Sequence, residues 1–183
     1  MRPDLIFLLL LALASLPAIA AGSGPATARA VAAPPAVAAT AQPARLPRIH
    51  LHGSALTGKE RALSVDELDT LAPATEWLID DPYSGSKTHY QGIALRDLVN
   101  SLAPNAQQVR MRAINDYIVV FERDEWEKLP ILLATRNEGA RMIVANKGPA
   151  RIIYRQTREN ELRMQVHAPK WIWQVIDVEF NAH

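Results

Sequence analysis

Residues 1–20 read as a targeting segment and residues 21–46 cannot build a core, and this confines any compact fold to the chain that follows. Ile6 to Ala20 reads IFLLLLALASLPAIA, an apolar run that ends in small residues. Ala18-Ile19-Ala20 fits the small-x-small pattern of signal-peptide cleavage, so residues 1–20 are expected to be an export signal. Its charged start is weak, because Asp4 offsets Arg2. The alternative is an uncleaved anchor, but the run is short of the roughly 20 apolar residues that a spanning helix needs. No cysteine follows it, which excludes lipoprotein processing. Residues 21–46 are mostly Ala, Pro, Gly, Ser and Thr. A segment so poor in large apolar side chains reads as an extended or disordered spacer. The expected folded domain is therefore residues 47–183.

That domain has enough residues for a single core without covalent staples. It needs one, because the whole 183-residue chain has no cysteine. An exported protein without disulfides must be stabilised by packing. The formal net charge is +1, with acids and bases interspersed. A nucleic-acid partner would require a basic face, which this pattern does not supply.

Within the domain, Arg48 to His52 alternates polar and apolar residues up to Gly53, as a short strand does. Ser64-Val65-Asp66-Glu67 is a capping box opening a helix that ends near Pro73. Thr75 to Ile79 is expected as a strand and Asp80 to Lys87 as a loop, marked by Asp-Pro and Ser-Gly. Ile93, Leu95, Leu98, Val99 and Leu102 have helical spacing, and Pro104 closes that helix. Val109 to Trp126 reads VRMRAINDYIVVFERDEW. This predicts two strands broken at Asn-Asp-Tyr, then a helical turn over Asp124 to Lys128. Further strands are expected at Ile131 to Ala134, Met142 to Val144, Ala150 to Tyr154 and Trp171 to Phe180. Arg155 to Lys170 looks polar and irregular. Many short strands with a few short helices make an α+β domain.

Catalytic motifs are sparse. His50 and His52 can share a strand face, but two histidines two apart are the ordinary content of a half-exposed strand before they are a metal site. Ser54 after Gly53 lacks the strand–turn–helix context of a nucleophile elbow. There is no Gly-rich phosphate loop. Among the aromatics, Trp77 reads as core. Trp171 and Trp173 share a face of the last strand, so one can pack while the other lines a pocket mouth.

Arg112-Ala113-Ile114-Asn115-Asp116-Tyr117 admits two readings. Asn and Asp favour turns by bonding their own backbone, so this can be a plain β-turn. Flanked by Arg112 and Tyr117 between apolar strands, it can also be a recognition loop. Donors, an acid and an aromatic ring in one place suit a flat heterocycle with polar edges.

These segments, taken in order, carry a resemblance. Tyr90-Gln91-Gly92-Ile93-Ala94-Leu95 with Leu98 comes first, then Ala113 to Tyr117. Leu132-Leu133-Ala134 with Glu138-Gly139 follows, then Lys147-Gly148-Pro149-Ala150-Arg151-Ile152-Ile153, and finally Lys170-Trp171 to Phe180. The order resembles the molybdopterin-binding domain of the sulfite oxidase superfamily over nearly the whole folded part. The resemblance implies a sulfite-oxidase-like α+β fold, with a mixed β-rich core and a pterin cleft. In that superfamily the enzymes hold molybdenum through a cysteine thiolate that precedes a segment like Val-Asp-Gly-Tyr. Aligned on Ile114-Asn115-Asp116-Tyr117, Ala113 takes the cysteine's position. The enzymatic alternative, a molybdenum-cofactor oxidoreductase, therefore lacks its metal ligand, and a non-enzyme is expected.

The chain looks most like small, exported, cysteine-free members of this fold. Asn115 to Tyr117, Lys147 to Tyr154 and Trp173-Gln174 match their segments; Arg155 departs, since proline often follows the tyrosine there. The likeness implies a periplasmic protein that binds a reduced, tetrahydropterin-like ligand without metal. It also implies a signalling partner, the periplasmic domain of an inner-membrane enzyme of cyclic-di-GMP turnover, and through it an effect on biofilm formation. The ligand residues implied are Asn115, Asp116 and Tyr117 at the cleft floor, Arg112 and Arg151 near its polar edge, and Trp173 as the stacking face. Asp116 is the expected acceptor for the pterin's amino and ring N–H donors.

Overall fold

The computed structural model describes residues 47–155 and 167–183. The expected signal segment, the spacer and most of the irregular stretch after Arg155 lie outside the described residues. Among the described residues, ten strands and three short α-helices make a β-rich α+β fold.

Five strands form the first sheet: β1 (Ile49–His52), β2 (Arg61–Leu63), β5 (Gln108–Ala113), β6 (Ile118–Glu122) and β10 (Val175–Asn181). Their order is β2-β1-β10-β5-β6. The C-terminal β10 runs parallel to β1 and antiparallel to β5, so the last strand of the domain is the centre of this sheet. Burial alternates along β5, with Val109, Met111 and Ala113 buried and Arg110 and Arg112 half-buried. That is the period-2 signature of a sheet with one face on the core. On the other face Arg110 meets Glu179 at 3.0 Å, and Arg112 lies 3.5 Å from Asp177.

The second sheet contains β3 (Ala74–Asp81), β4 (Ser86–Ala94), β7 (Ile131–Asn137), β8 (Ala140–Arg141) and β9 (Arg151–Tyr154). Strand β7 has β4 on one side and β8 and β9 in succession on the other. Ile131 to Thr135 and all of β9 are buried, matching the continuous apolar runs of a covered strand. Val109, Met111, Phe121, Val178 and Phe180 of the first sheet share one core with Tyr90, Ile93, Leu132, Ile152 and Tyr154 of the second.

Helix α1 (Val65–Asp69) opens on the anticipated capping box: the Glu67 N–H donates to Ser64 Oγ and the Ser64 N–H to Glu67 Oε2. It is one turn long, because Thr70 already caps it. Helix α2 (Leu95–Leu102) buries Leu95, Leu98, Val99 and Leu102, its predicted apolar stripe. Helix α3 (Arg123–Lys128) buries Trp126, while Trp77 is half-buried against the core.

Several expectations are corrected. Ser86 to Ala94 is a nine-residue strand, not loop and helix start. Its polar side chains hide an alternation in which Thr88, Tyr90 and Gly92 face inward. Met142 to Val144 is not a strand: β8 ends at Arg141 and a 3-10 turn covers Val144–Asn146. The last strand starts at Val175, because Gln174 has a left-handed φ of 57° that breaks extension just after the tryptophans.

Candidate ligand-binding site

The two sheets are stitched together beside the hairpin that joins β5 to β6. The Ile152 N–H donates to Ile172 O at 2.8 Å and the Val175 N–H to Ala150 O at 2.9 Å. This brings the segment before β10 against β9 and the residue just before it. The hairpin is tight. Ala113 and Tyr117 bond across it at 2.9 Å, the Tyr117 N–H reaches Asn115 Oδ1 at 3.3 Å, and Asp116 has a φ of 62°. Asn and Asp thus do the local turn chemistry their types favour. The Ile114 N–H donates to Gln174 O at 3.1 Å, which ties the hairpin to Trp173's neighbour.

A second tight turn enters from the other sheet. After β3, Asp81 Oδ1 accepts from the Tyr83 N–H at 2.8 Å and Asp81 O from the Gly85 N–H at 2.9 Å. Tyr83 and Tyr117 then act alike. The Tyr83 hydroxyl donates to Ala168 O at 2.9 Å and the Tyr117 hydroxyl to Pro169 O at 2.8 Å. Two rings from two hairpins thereby hold the short 3-10 turn Ala168–Lys170.

Between these pieces lies a cavity of about 240 Å³, lined by Tyr83, Ala113, Asn115, Tyr117, Trp171 and Trp173 among others. Its volume falls just below the ~300–1,000 Å³ typical of sites for drug-sized molecules, so it suits a small ring system. Tyr83 and Trp173 meet edge to face, 5.4 Å between centroids. Trp171 is buried and Trp173 half-buried.

Behind the aromatic wall is a buried polar cluster. Arg151 is 1% exposed; its Nη1 donates to Asp81 Oδ2 at 3.1 Å and to the Tyr90 hydroxyl at 2.8 Å. The Tyr90 hydroxyl in turn donates to Asp81 Oδ2 at 2.6 Å. Burial works to raise the Asp81 pKa. The bond from Tyr90, the Tyr83 backbone N–H and the nearby Arg151 and Lys147 outweigh it and hold the carboxyl below its usual range. Burial, and next the bond to Asp81, push the Tyr90 phenol well above its ordinary value.

Of the six residues anticipated for the ligand, three line the cavity: Asn115, Tyr117 and Trp173. The other three do not. Asp116 sits at the hairpin apex, 82% exposed, with its carboxylate 3.2 Å from Arg112 Nη1. The turn that needs its left-handed φ also carries it out of the cleft floor. Arg112 is engaged by Asp116 and Asp177 on the outer face of the first sheet. Arg151 belongs to the core behind Trp171, not to a polar rim: its guanidinium carbon lies 6.0 Å from the Trp171 ring centroid. Sequence reasoning missed Tyr83, Ala168 and Pro169. Tyr83 looked like the middle of a polar turn, and nothing in the sequence links it to residues some 85 positions later.

With the geometry in place, comparison with known proteins adds a likeness of fold. No family model matches the chain, and no curated protein matches it. Among solved structures, the fold is similar to that of the sulfane dehydrogenase SoxCD from Paracoccus pantotrophus, with a TM-score of 0.50. The two are 13% identical over 75% of this chain. The match spans 38% of the SoxCD chain, and at this identity it is a likeness of fold.

Proposed function

We propose that this protein is an exported, non-catalytic binder of a reduced pterin, with the sulfite-oxidase-like fold suggested by the order of its sequence motifs. The observation that carries the reading is Ala113. Its methyl group lines the aromatic cavity at the position where the resemblance puts a molybdenum-ligating cysteine. Molybdenum held by a thiolate does not fit this donor set, since the chain has no cysteine at all. A flat heterocycle does fit. Trp173, Tyr83 and Tyr117 offer ring faces and edges, and the Asn115 amide offers a donor and an acceptor to a polar ring edge. The likeness of fold to a dehydrogenase is in keeping with this reading.

In this reading the ligand acts as a signal. The occupied cavity holds together two hairpins and the 3-10 turn, and a partner that prefers this arrangement sees its population rise. The partner proposed is the periplasmic domain of an inner-membrane enzyme that makes or degrades cyclic-di-GMP.

Protein isolated from its own host without oxygen should carry a pterin-sized mass in native mass spectrometry. Anaerobic calorimetry should show a tetrahydropterin binding to the stripped protein. Trp173→Ala should weaken it by about 0.5–1.5 kcal/mol through lost ring contact. Absence of both a bound mass and binding heat would sink the reading. Cyclic-di-GMP levels in cells lacking the protein, complemented with wild type or Trp173→Ala, test the signalling half.

A further inference from the structure

Strand β3 lies at one end of the second sheet. It pairs with β4 along its whole length, from Ala74 opposite Ile93 to Asp81 opposite Ser86, without a bulge. Among the described residues no strand pairs with its other side. Along that side every second residue turns its N–H and C=O away from β4, so the strand presents a row of backbone donors and acceptors outside the ladder. Natural edges are commonly kept very short or interrupted by bulges; β3 runs eight residues in unbroken register.

The side chains of β3 alternate. Thr75, Trp77, Ile79 and Asp81 turn inward, while Ala74, Glu76, Leu78 and Asp80 are exposed. Leu78 is 65% exposed, more than any other large apolar side chain among the described residues. It stands between two acids of its own row. Glu76 lies 3.4 Å from His89 and accepts from Gln91 at 2.7 Å, both on β4. Among the described residues Asp80 makes no ion pair. On the inward side, Trp77 lines a cavity of about 270 Å³ together with Arg96, Lys128, Leu129 and Pro130.

The two acids decide what can pair with this edge. A second copy related by a two-fold axis would lie antiparallel, with its exposed row on the same side of the joined sheet. Centred on Leu78, that pairing sets Glu76 of each copy opposite Asp80 of the other. Centred on Trp77 or Ile79, it leaves acids as diagonal neighbours. Like charges placed so destabilise a ladder, and opposite charges stabilise it. A segment reading basic, any residue, apolar, any residue, basic sets cations opposite Glu76 and Asp80 and an apolar side chain opposite Leu78. Its intervening side chains then turn to the side of Trp77 and its cavity.

We propose that the open edge of β3 is a strand-addition site for an extended segment of a partner protein with this basic–apolar–basic alternation. The main-chain ladder supplies affinity, and the row Glu76, Leu78, Asp80 supplies specificity. The site is separate from the aromatic cavity, whose lining includes no residue of β3, and it does not depend on the pterin reading.

The test is titration of the protein with a blocked peptide, Thr-Lys-Thr-Val-Thr-Lys-Thr, followed by amide NMR shifts and by calorimetry. Shifts should concentrate on β3. The same peptide with Glu for both Lys should bind about tenfold more weakly, and salt should shrink that difference. Methylating the backbone nitrogens of one alternate set of peptide residues should abolish binding, while methylating the other set leaves it in place. The double variant Glu76→Lys/Asp80→Lys should reverse the preference between the two peptides, with a thermal melt to show that it is folded. No saturable binding up to about 1 mM overturns the proposal, as do equal affinities for the two peptides or equal tolerance of both methylated sets. Sedimentation provides the last arm. If wild type dimerises and Leu78→Lys is monomeric, the edge belongs to a second copy and the proposal is overturned. None of these outcomes bears on pterin binding.

Discussion

Arg151 and Asp81 meet at 3.1 Å with both side chains 1% exposed, which makes them a fully buried ion pair joining the start of β9 to the end of β3. Removing one partner leaves the other charge without compensation in a medium that solvates it poorly. Asp81→Asn keeps the oxygen that accepts from the Tyr83 N–H but loses the charge. It should lower unfolding free energy by about 3–5 kcal/mol. The double variant Asp81→Asn/Arg151→Met should lose clearly less than the sum of the two single losses. Urea unfolding of all four proteins gives the coupling; additive losses would show that the pair contributes no mutual stabilisation.

The same carboxyl sets a pH dependence. Its folded pKa is depressed below the ordinary 3.8, so the folded state binds fewer protons than the unfolded chain as pH falls through that range. The stability it contributes is complete above pH 3.8 and is lost as pH drops through the lower folded value. Urea midpoints measured from pH 6 down to pH 2.5 should fall on the acid side for wild type. Asp81→Asn should start lower and fall less steeply, and parallel curves would remove Asp81 as the cause.

Gly92 is required by close approach of the backbone. A Cβ built there would stand 2.1 Å from Leu133 O and 2.7 Å from Ala134 Cα, on the strand paired with β4. The ladder must part to admit a methyl group. Gly92→Ala should therefore destabilise by about 1–3 kcal/mol, as overpacking does. A thermal melt unchanged from wild type would show that β4 and β7 separate there at little cost.

How far the sequence revealed this molecule depends on whether the signal was local. The Ser64–Glu67 capping box and the stripe Leu95, Leu98, Val99 and Leu102 are local, and both appear where expected. Strand β4 was hidden because Ser86, Lys87, Thr88 and His89 look like loop residues. They are strand because β3 pairs with them, and β7 joins the other side of β4 only from Tyr90 onward. The cavity divides in the same way. Asn115, Tyr117 and Trp173 stood out by type and neighbourhood. Tyr83 and the Ala168–Pro169 turn reach the site only through tertiary hydrogen bonds. Arg151 misled in the opposite direction, since a charged residue suggests a rim. Its pairing with Asp81 lets it stand in the core.

The capping box predicts a modest, separable effect. Ser64 Oγ accepts from the Glu67 N–H at 3.3 Å, and Glu67 also pairs with Arg48 at 2.9 Å, linking α1 to the chain just before β1. Ser64→Ala should cost about 1 kcal/mol. Because neither Ser64 nor Glu67 lines the cavity, tetrahydropterin affinity should not change. A Ser64→Ala variant as stable as wild type would mean that tertiary packing of Val65 and Leu68 alone holds this turn.

Ala113 offers the most direct probe of the site, because the chain has no cysteine and any introduced thiol is its only one. Ala113 is 1% exposed overall, yet it lines the cavity together with Tyr117 and Trp171. In Ala113→Cys the added sulfur has the cavity to enter, so the fold should survive. A small reagent such as methyl methanethiosulfonate should modify it in the native protein, with one added mass by intact mass spectrometry. Ala134→Cys, also buried but away from the cavity lining, should stay unmodified until the protein unfolds. A saturating tetrahydropterin should slow the reaction at Cys in position 113 and leave the unfolded control rate unchanged. If both thiols react alike, the methyl of Ala113 does not face an accessible space. If only the Ala113 variant reacts but the pterin gives no protection, the cavity is real and its occupant is a different molecule.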